Sequence, residues 1–149
     1  MHISFDLDST LIPHGNQFEE EKRNFFATFL GIEPIRIGTA KLISDLQKQG
    51  HIIHIYTTSF RSKNKIPLML FYYGIKVGKI INEYQNQRTL KRINKRVSKY
   101  PPAFGFDLHI DDSKGVEIEG EKLNFKTIII KTNDKNWIET IQKEITFGQ

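Results

Sequence analysis

Three short apolar segments of this chain each run directly into a cluster of acidic or hydroxyl side chains. The segments 3–5, 52–56 and 106–110 are rich in Ile and Phe, and each has the length of a short strand. Helical periodicity fills the stretches between them, so strands and helices alternate along the chain. This alternation predicts an α/β fold: a three-layer, Rossmann-like arrangement with a mostly parallel central sheet and helices on both faces.

The expected helices follow from the spacing of apolar residues and from Gly and Pro breakers. The spacing predicts helices at 17–30, 39–49, 67–73, 89–99 and 116–123, and a last helix after Asn133 or Asp134. Further strands are expected at 75–81 and 127–131. The phenylalanines of the first helix are expected to form a packing face, a reading favoured over a platform for substrate.

Length, net charge and cysteine content restrict the class of protein. At 149 residues, positions 1–149 are expected to form a single domain. A net charge of +5 and a pI of about 9.4 favour an anionic substrate or partner. The absence of cysteine excludes a thiolate metal site and a cysteine nucleophile. With no long apolar run and no signal-peptide pattern, we expect a cytoplasmic location and no membrane partner.

The polar clusters are expected to share one crevice, because the carboxyl ends of parallel strands meet at one edge of a sheet. They are Asp6 and Asp8 after the first segment, Thr57 after the second, and Asp111 and Asp112 after the third. Grouped carboxylate oxygens without cysteine suit a hard cation, and Mg²⁺ is the usual intracellular one. A carboxylate can also act as a nucleophile, so the residues fit phosphoryl-transfer chemistry.

The order of these clusters resembles the motifs of the haloacid dehalogenase superfamily phosphatases. The run Asp6-Leu7-Asp8-Ser9-Thr10 after an apolar strand resembles the first motif, Thr57 the second, and Asp111-Asp112 the fourth. The resemblance spans positions 6–112. It implies a Mg²⁺-dependent hydrolase of phosphate monoesters that works through an aspartyl-phosphate intermediate.

The resemblance also implies roles for the four acids. Asp6 is implied as the nucleophile and as a metal ligand. Asp8 is implied as the general acid and base, with its backbone carbonyl on the metal. Asp111 is implied as a direct metal ligand, and Asp112 as a direct or water-mediated one.

Substrate contacts are implied at the second motif and at a lysine that forms the third. Thr57 would hydrogen-bond the transferring phosphoryl group, and Thr58, Arg61 and Lys63 follow it closely enough to contact substrate. Family lysines are often followed closely by proline, so Lys99, just before Pro101 and Pro102, is preferred for the third motif. Lys95 is the alternative. Glu117 is the nearest acid beyond the paired aspartates, and its role stays undetermined.

The sequence does not identify the substrate. The segments in which the family carries cap domains hold one predicted helix each, too little for an independent domain, so we expect a capless or minimally capped protein with an open site. Such a site admits small phosphate esters or phosphorylated macromolecules. A basic stretch between Lys76 and Lys99 would attract a polyanion such as a nucleic-acid end. No aromatic interleaving is evident there, so nucleic acid is not preferred over small esters.

Three other classes of protein could use similar residues. A receiver domain of a response regulator has its acidic pair early and its phosphorylated aspartate in mid-chain, whereas here the adjacent pair comes late. A nuclease of the topoisomerase–primase type shares the late acidic pair, but it has an early catalytic glutamate on a strand, which this sequence lacks. A non-catalytic phosphate-binding or signalling module of the same fold is the remaining alternative.

Overall fold

A parallel sheet of five strands forms the centre of the computed structural model, which describes residues 1–62 and 64–147. The strands are β1 (His2–Phe5), β2 (Ile52–Tyr56), β3 (Ile80–Ile81), β4 (Leu108–Asp111) and β5 (Lys126–Ile129). All neighbours run parallel, in the order β3-β2-β1-β4-β5. The predicted Rossmann-like α/β fold is confirmed.

Helices form the connections between the strands. They are α1 (Phe25–Phe29), α2 (Thr39–Lys48), α3 (Lys65–Tyr72), α4 (Glu83–Arg92), a 3₁₀ helix (Pro101–Phe104), α5 (Lys114–Leu123) and α6 (Trp137–Phe147). The connections from β1 to β3 step along the sheet in one direction, and the step from β4 to β5 goes in the other. Because parallel crossovers are right-handed, α2 and α5 lie on opposite faces. Within the described ranges, no helix is both long and apolar enough to cross a bilayer.

The register of β1 against β4 brings the first and last acidic clusters side by side. Ile3 pairs with Leu108 and Phe5 with Ile110, and the N–H of Asp6 donates to the carbonyl of Ile110 at 2.9 Å. The strand order also reverses between β1 and β4, and such switch points are where open α/β sheets bind ligands. The fold therefore positions a crevice at the carboxyl ends of these two strands.

The predicted helix at 17–30 is wrong for most of its length. Residues 17–23 are not helical, and Glu20 forms an isolated bridge with Arg36. Asn24 caps α1 by accepting a hydrogen bond from the N–H of Ala27, and Ala27 is the one buried residue of this helix. The expected aromatic packing face is also wrong, because the side chains of its phenylalanines at 25, 26 and 29 are 71–79% exposed.

The predicted helix at 89–99 is shifted in the structure. α4 begins at Glu83 because Asn82 and Gln85 form a capping box, in which each side chain bonds the other residue's backbone. It ends at Arg92, and Asn94 then adopts a left-handed backbone with φ of 52°. Residues 93–98 return toward the crevice without helical structure. The strand expected at 75–81 is reduced to Ile80–Ile81.

We predict that truncating the exposed phenylalanines of α1 barely changes stability. Phe25→Ala and Phe29→Ala should each change the free energy of unfolding by no more than about 0.5 kcal/mol, because both side chains already face water. Leu42→Ala, at a fully buried position of α2, is the contrasting variant and should cost about 2–5 kcal/mol. Urea denaturation measures all three. A Phe29→Ala loss as large as that of Leu42→Ala would contradict the exposure of α1.

Candidate functional site

Lys99 lies at the centre of the crevice, between two carboxylates. Its Nζ donates hydrogen bonds to Asp6 Oδ1 and to Asp111 Oδ2, each at 2.6 Å. All three side chains are at most 7% exposed. An ammonium this deeply buried is tolerated when it is paired. The alternative lysine, Lys95, instead has its Nζ 5.0 Å from the centroid of the Tyr100 ring.

Two residues that no motif singles out hold the backbone around Lys99. Glu119 of α5 accepts hydrogen bonds from the N–H groups of Ser98 at 2.7 Å and Lys99 at 3.2 Å. Asn86 of α4 donates from Nδ2 to the carbonyl of Ser98 at 2.8 Å. In the sequence both look like ordinary polar helix residues, and only the structure shows which loop they bind.

His109 supports Asp111 from within the sheet. Its Nε2 lies 2.9 Å from Asp111 Oδ2, and its Nδ1 lies 2.9 Å from the hydroxyl of Ser4. Burial lowers the pKa of His109, so the ring is neutral. A neutral ring that donates from Nε2 to the carboxylate can accept the Ser4 hydroxyl at Nδ1. Asp111 is thereby fixed in orientation.

The charges in the crevice are coupled. Burial raises the pKa of Asp6 to about 7 against the opposing effect of Lys99. Burial also acts to raise the pKa of Asp111, but the hydrogen bond with His109 and the charge of Lys99 outweigh it and hold that pKa well below its usual range. Burial acts to lower the pKa of Lys99, but the charges of Asp6 and Asp111 raise it above its ordinary value. Lys99 is therefore an ammonium.

Three carboxylates form a group that could hold a metal ion. Asp6, Asp111 and Asp112 each offer an oxygen, and these oxygens lie within 4.8 Å of one another. Thr10 donates from its hydroxyl to Asp112 Oδ1 at 3.4 Å. Lys99 contributes one positive charge beside three carboxylates. When all three are ionised, a divalent cation would offset the two negative charges that Lys99 leaves unbalanced. A donor set made of carboxylate oxygens suits a hard cation such as Mg²⁺.

The side chain of Asp8 is not one of these three carboxylates and is paired with Arg61. Two guanidinium nitrogens of Arg61 lie 2.8 Å from the two oxygens of Asp8. The same guanidinium donates to both oxygens of Glu33, at 2.7 and 2.8 Å. The Asp8 side chain is 49% exposed, so it is accessible from solvent. Arg61, expected at the substrate, would have to exchange a carboxylate for a phosphate oxygen.

The remaining predicted residues are placed as follows. Thr57 is fully buried at the end of β2, and its hydroxyl accepts the N–H of Ser59 at 3.1 Å. Thr58 is exposed beside it. Glu117 lies on α5 and forms an ion pair with Lys114. Lys63 lies outside the described residues. Contacts of Thr57 and Thr58 with a phosphoryl group stay predictions.

Comparison with known proteins supports the fold. The sequence matches no family model and no curated protein. Its structure is similar to a chain in the solved structure of the Pnkp1/Rnl/Hen1 complex, with a TM-score of 0.55 and 14% sequence identity. The similarity covers 89% of this chain and 46% of that chain, so this protein spans less than half the length of its neighbour. At this identity the likeness establishes the α/β fold alone.

We predict that Lys99 and Lys95 differ sharply in their effect on stability. Lys99→Met should cost about 3–5 kcal/mol in metal-free buffer, because it leaves buried carboxylates without their cation. Lys95→Met removes the same charge from a half-buried position over a ring and should cost less than about 1 kcal/mol. Urea denaturation of the two variants measures the difference. Equal losses would show that the pairing of Lys99 is not what stabilises the crevice.

The same pair of variants has an expected pH dependence. An acid whose pKa is raised on folding contributes stability that is lost as the pH rises through the folded pKa. The pKa of Asp6 is about 7 in the folded protein against an ordinary 3.8. Without Lys99 this pKa rises further. Urea denaturation at a series of pH values should therefore show the stability of Lys99→Met still falling above about pH 7, where the Asp6 contribution in Lys95→Met is already lost.

Proposed function

We propose that the protein is a Mg²⁺-dependent phosphohydrolase that removes a phosphate monoester through an aspartyl-phosphate on Asp6. The observation that carries this proposal is the buried Nζ of Lys99, 2.6 Å from Asp6 and from Asp111, beside three grouped carboxylates. Phosphoryl transfer depends mainly on positioning and on fixed charges that stabilise the phosphoryl oxygens. A rigid ammonium beside a nucleophilic carboxylate supplies both.

The proposed reaction has two steps. In the first, a carboxylate oxygen of Asp6 attacks phosphorus, the bond to the ester oxygen breaks, and Asp8 gives its proton to the departing oxygen. In the second, Asp8 takes a proton from a water molecule, whose oxygen attacks phosphorus and releases phosphate from Asp6. Lys99 remains protonated in both steps and offsets the charge on Asp6 and on the phosphoryl group.

The residues that would hold Mg²⁺ are Asp6, Asp111 and Asp112, with the backbone carbonyl of Asp8 expected to join them. Bound there, Mg²⁺ would supply positive charge that neutralises and orients the phosphoryl oxygens. The hydrogen bonds of Asp111 with His109 and Ser113 would hold its carboxylate ready for that role.

Substrate binding is proposed to involve Thr57, Thr58, Lys99 and Arg61. Arg61 is the informative case because its guanidinium is already paired with Asp8 and Glu33. If it moved one N–H from Asp8 to a phosphate oxygen, Asp8 would be freed for proton transfer at the same moment. Arrival of the phosphate would then activate the acid that the reaction needs.

The setting of the reaction is part of the proposal. We place positions 1–149 in one domain without a cap, which leaves the crevice open to small or macromolecular phosphates. The similar chain of the Pnkp1/Rnl/Hen1 complex shares the fold with this protein, and the match covers 46% of that chain. A cytoplasmic location remains an expectation from the sequence.

We predict that Asp6→Asn abolishes hydrolysis of an aryl phosphate in the presence of Mg²⁺. The amide cannot form the phosphoryl-enzyme, so the rate should fall by about a thousand-fold or more, as for loss of other nucleophiles. Chelation of Mg²⁺ should stop the wild-type protein as well. Asp45→Asn, which makes the same change in an ion-paired carboxylate of α2, is the matched control and should keep wild-type activity. Equal rates for Asp6→Asn and wild type would overturn the proposal, and an inactive wild type would favour the phosphate-binding module.

We predict a different defect for Asp8→Asn. Loss of the proton donor and acceptor should slow turnover by about 100-fold or more while phosphate still reaches Asp6. A radiolabelled substrate should therefore leave label on Asp8→Asn and none on Asp6→Asn. Glu33→Gln also deprives Arg61 of a carboxylate partner, so it controls for loosening of Arg61. Label on Asp6→Asn, or an equal defect in Glu33→Gln, would contradict the assigned roles.

A further inference from the structure

Two exposed aromatic side chains meet on the rim of the crevice. The rings of Phe60 and Tyr84 are 58% and 63% exposed, and they form an edge-to-face pair with centroids 5.0 Å apart. Phe60 lies in the loop that follows β2, and Tyr84 lies in the first turn of α4. Paired rings that stay open to water form a surface on which planar groups can stack.

Hydrogen bonds fix this pair beside the proposed phosphate site. The N–H of Glu83 donates to the carbonyl of Ser59, and Nδ2 of Asn82 donates to the carbonyl of Arg61, both at 3.1 Å. These bonds join the start of α4 to the residues on either side of Phe60. Arg61 in turn is paired with Asp8. The aromatic pair is therefore held close to the residues that carry the proposed chemistry.

Cationic side chains continue from Tyr84 along the same face of α4. Arg88 and Lys91 follow Tyr84 at i+4 and i+7, and side chains at this spacing share one helix face. Both are exposed, and neither forms an ion pair with a carboxylate of the described residues. The acid of this helix, Glu83, accepts hydrogen bonds from the side chains of Asn86 and Gln87.

A groove lies beside this basic face. It has a volume of about 500 Å³ and lies between α4 and the segment that returns to Lys99. Lys91, Lys95 and Arg96 contribute to its lining, and Glu83 is the one acid among the lining residues. Ser98 lines the same groove and directly precedes Lys99. Because the start of α4 is hydrogen-bonded to the loop that holds Arg61, a chain of negative charges lying along α4 would end next to the crevice.

We propose that Phe60, Tyr84, Arg88 and Lys91, together the aromatic–cationic surface, bind a single-stranded nucleic acid whose terminal phosphate monoester enters the crevice. This inference rests on the proposed function and names its substrate class. A row of unpaired cations matches the repeated phosphates of a nucleic-acid backbone. The exposed rings match its bases, which stack regardless of sequence. A phosphopeptide or a small ester lacks this combination of repeated phosphates and planar bases.

The test measures binding in the Asp6→Asn background, so that the probe is not consumed. The probe is an internally labelled oligothymidylate, about ten nucleotides long and phosphorylated at both ends, followed by fluorescence anisotropy. Tyr84→Ala and Phe60→Ala should each weaken binding about 5-fold or more, and Tyr84→Phe should restore it because the ring remains. Arg88→Gln with Lys91→Gln should reduce the slope of log affinity against log salt by about 1.4.

A matched control separates this surface from general attraction to a basic protein. Lys48→Gln with Lys122→Gln removes the same two charges from the last turns of α2 and α5. These turns precede the starts of β2 and β5, at the opposite edge of the sheet from the crevice. The control should keep both the affinity and the salt slope of the parent protein.

The outcomes distinguish the two proposals. If the control weakens binding as much as the Arg88 and Lys91 pair does, or if Tyr84→Ala binds as well as Tyr84→Phe, the aromatic–cationic surface is refuted. Aryl phosphate hydrolysis that depends on Asp6 would then still support the phosphatase. If binding follows the expected pattern and the wild-type protein also releases phosphate from the probe, the substrate class is established. If binding follows the pattern but neither probe nor aryl phosphate is hydrolysed, the surface stands and the phosphatase proposal fails.

Discussion

The buried contact of Lys99 with Asp6 and Asp111 is the interaction on which the rest of the structure depends. An ammonium and two carboxylates removed from water are costly unless each is paired and oriented. The surrounding residues meet that condition: His109 holds Asp111, while Glu119 and Asn86 hold the backbone that delivers Lys99. The same arrangement that makes these charges tolerable also leaves carboxylate oxygens in excess, which is the state that a metal ion and a phosphate would complete.

Strand order explains why this cluster forms where it does. β1 and β4 are neighbours in the sheet although most of the chain separates them, and the direction of connection reverses between them. Asp6 follows β1 and Asp111 ends β4, so parallel pairing alone places them at one edge. The crevice at that switch point then receives the end of β2, with Thr57, from the other side.

The apolar spacing and the acidic clusters of the sequence predicted the strands and the acids that follow them. Short apolar strands that end in acids could be predicted because strand periodicity and side-chain chemistry agree at each of them. The structure places Lys99, preferred because of Pro101, between Asp6 and Asp111, and its contact with a phosphate stays a prediction. The aromatic face of α1 was mispredicted because helical spacing cannot foresee that residues before Asn24 bridge to Arg36 instead. Partners such as Glu119, or the ring pair of Phe60 with Tyr84, depend on chain segments meeting in space, and no spacing in the sequence announces them.

α5 connects the paired aspartates of the crevice to the segment that carries Lys99. The helix begins at Lys114, directly after Asp111 and Asp112, and one turn and a half later its Glu119 grips the backbone of Lys99. One helix therefore connects Asp111 and Asp112 with the backbone of Lys99. Arg61, which pairs with Asp8 on the other side of the crevice, belongs to the loop after β2 and not to α5. The pairing of Arg61 could therefore change without moving Asp111, Asp112 or the backbone of Lys99.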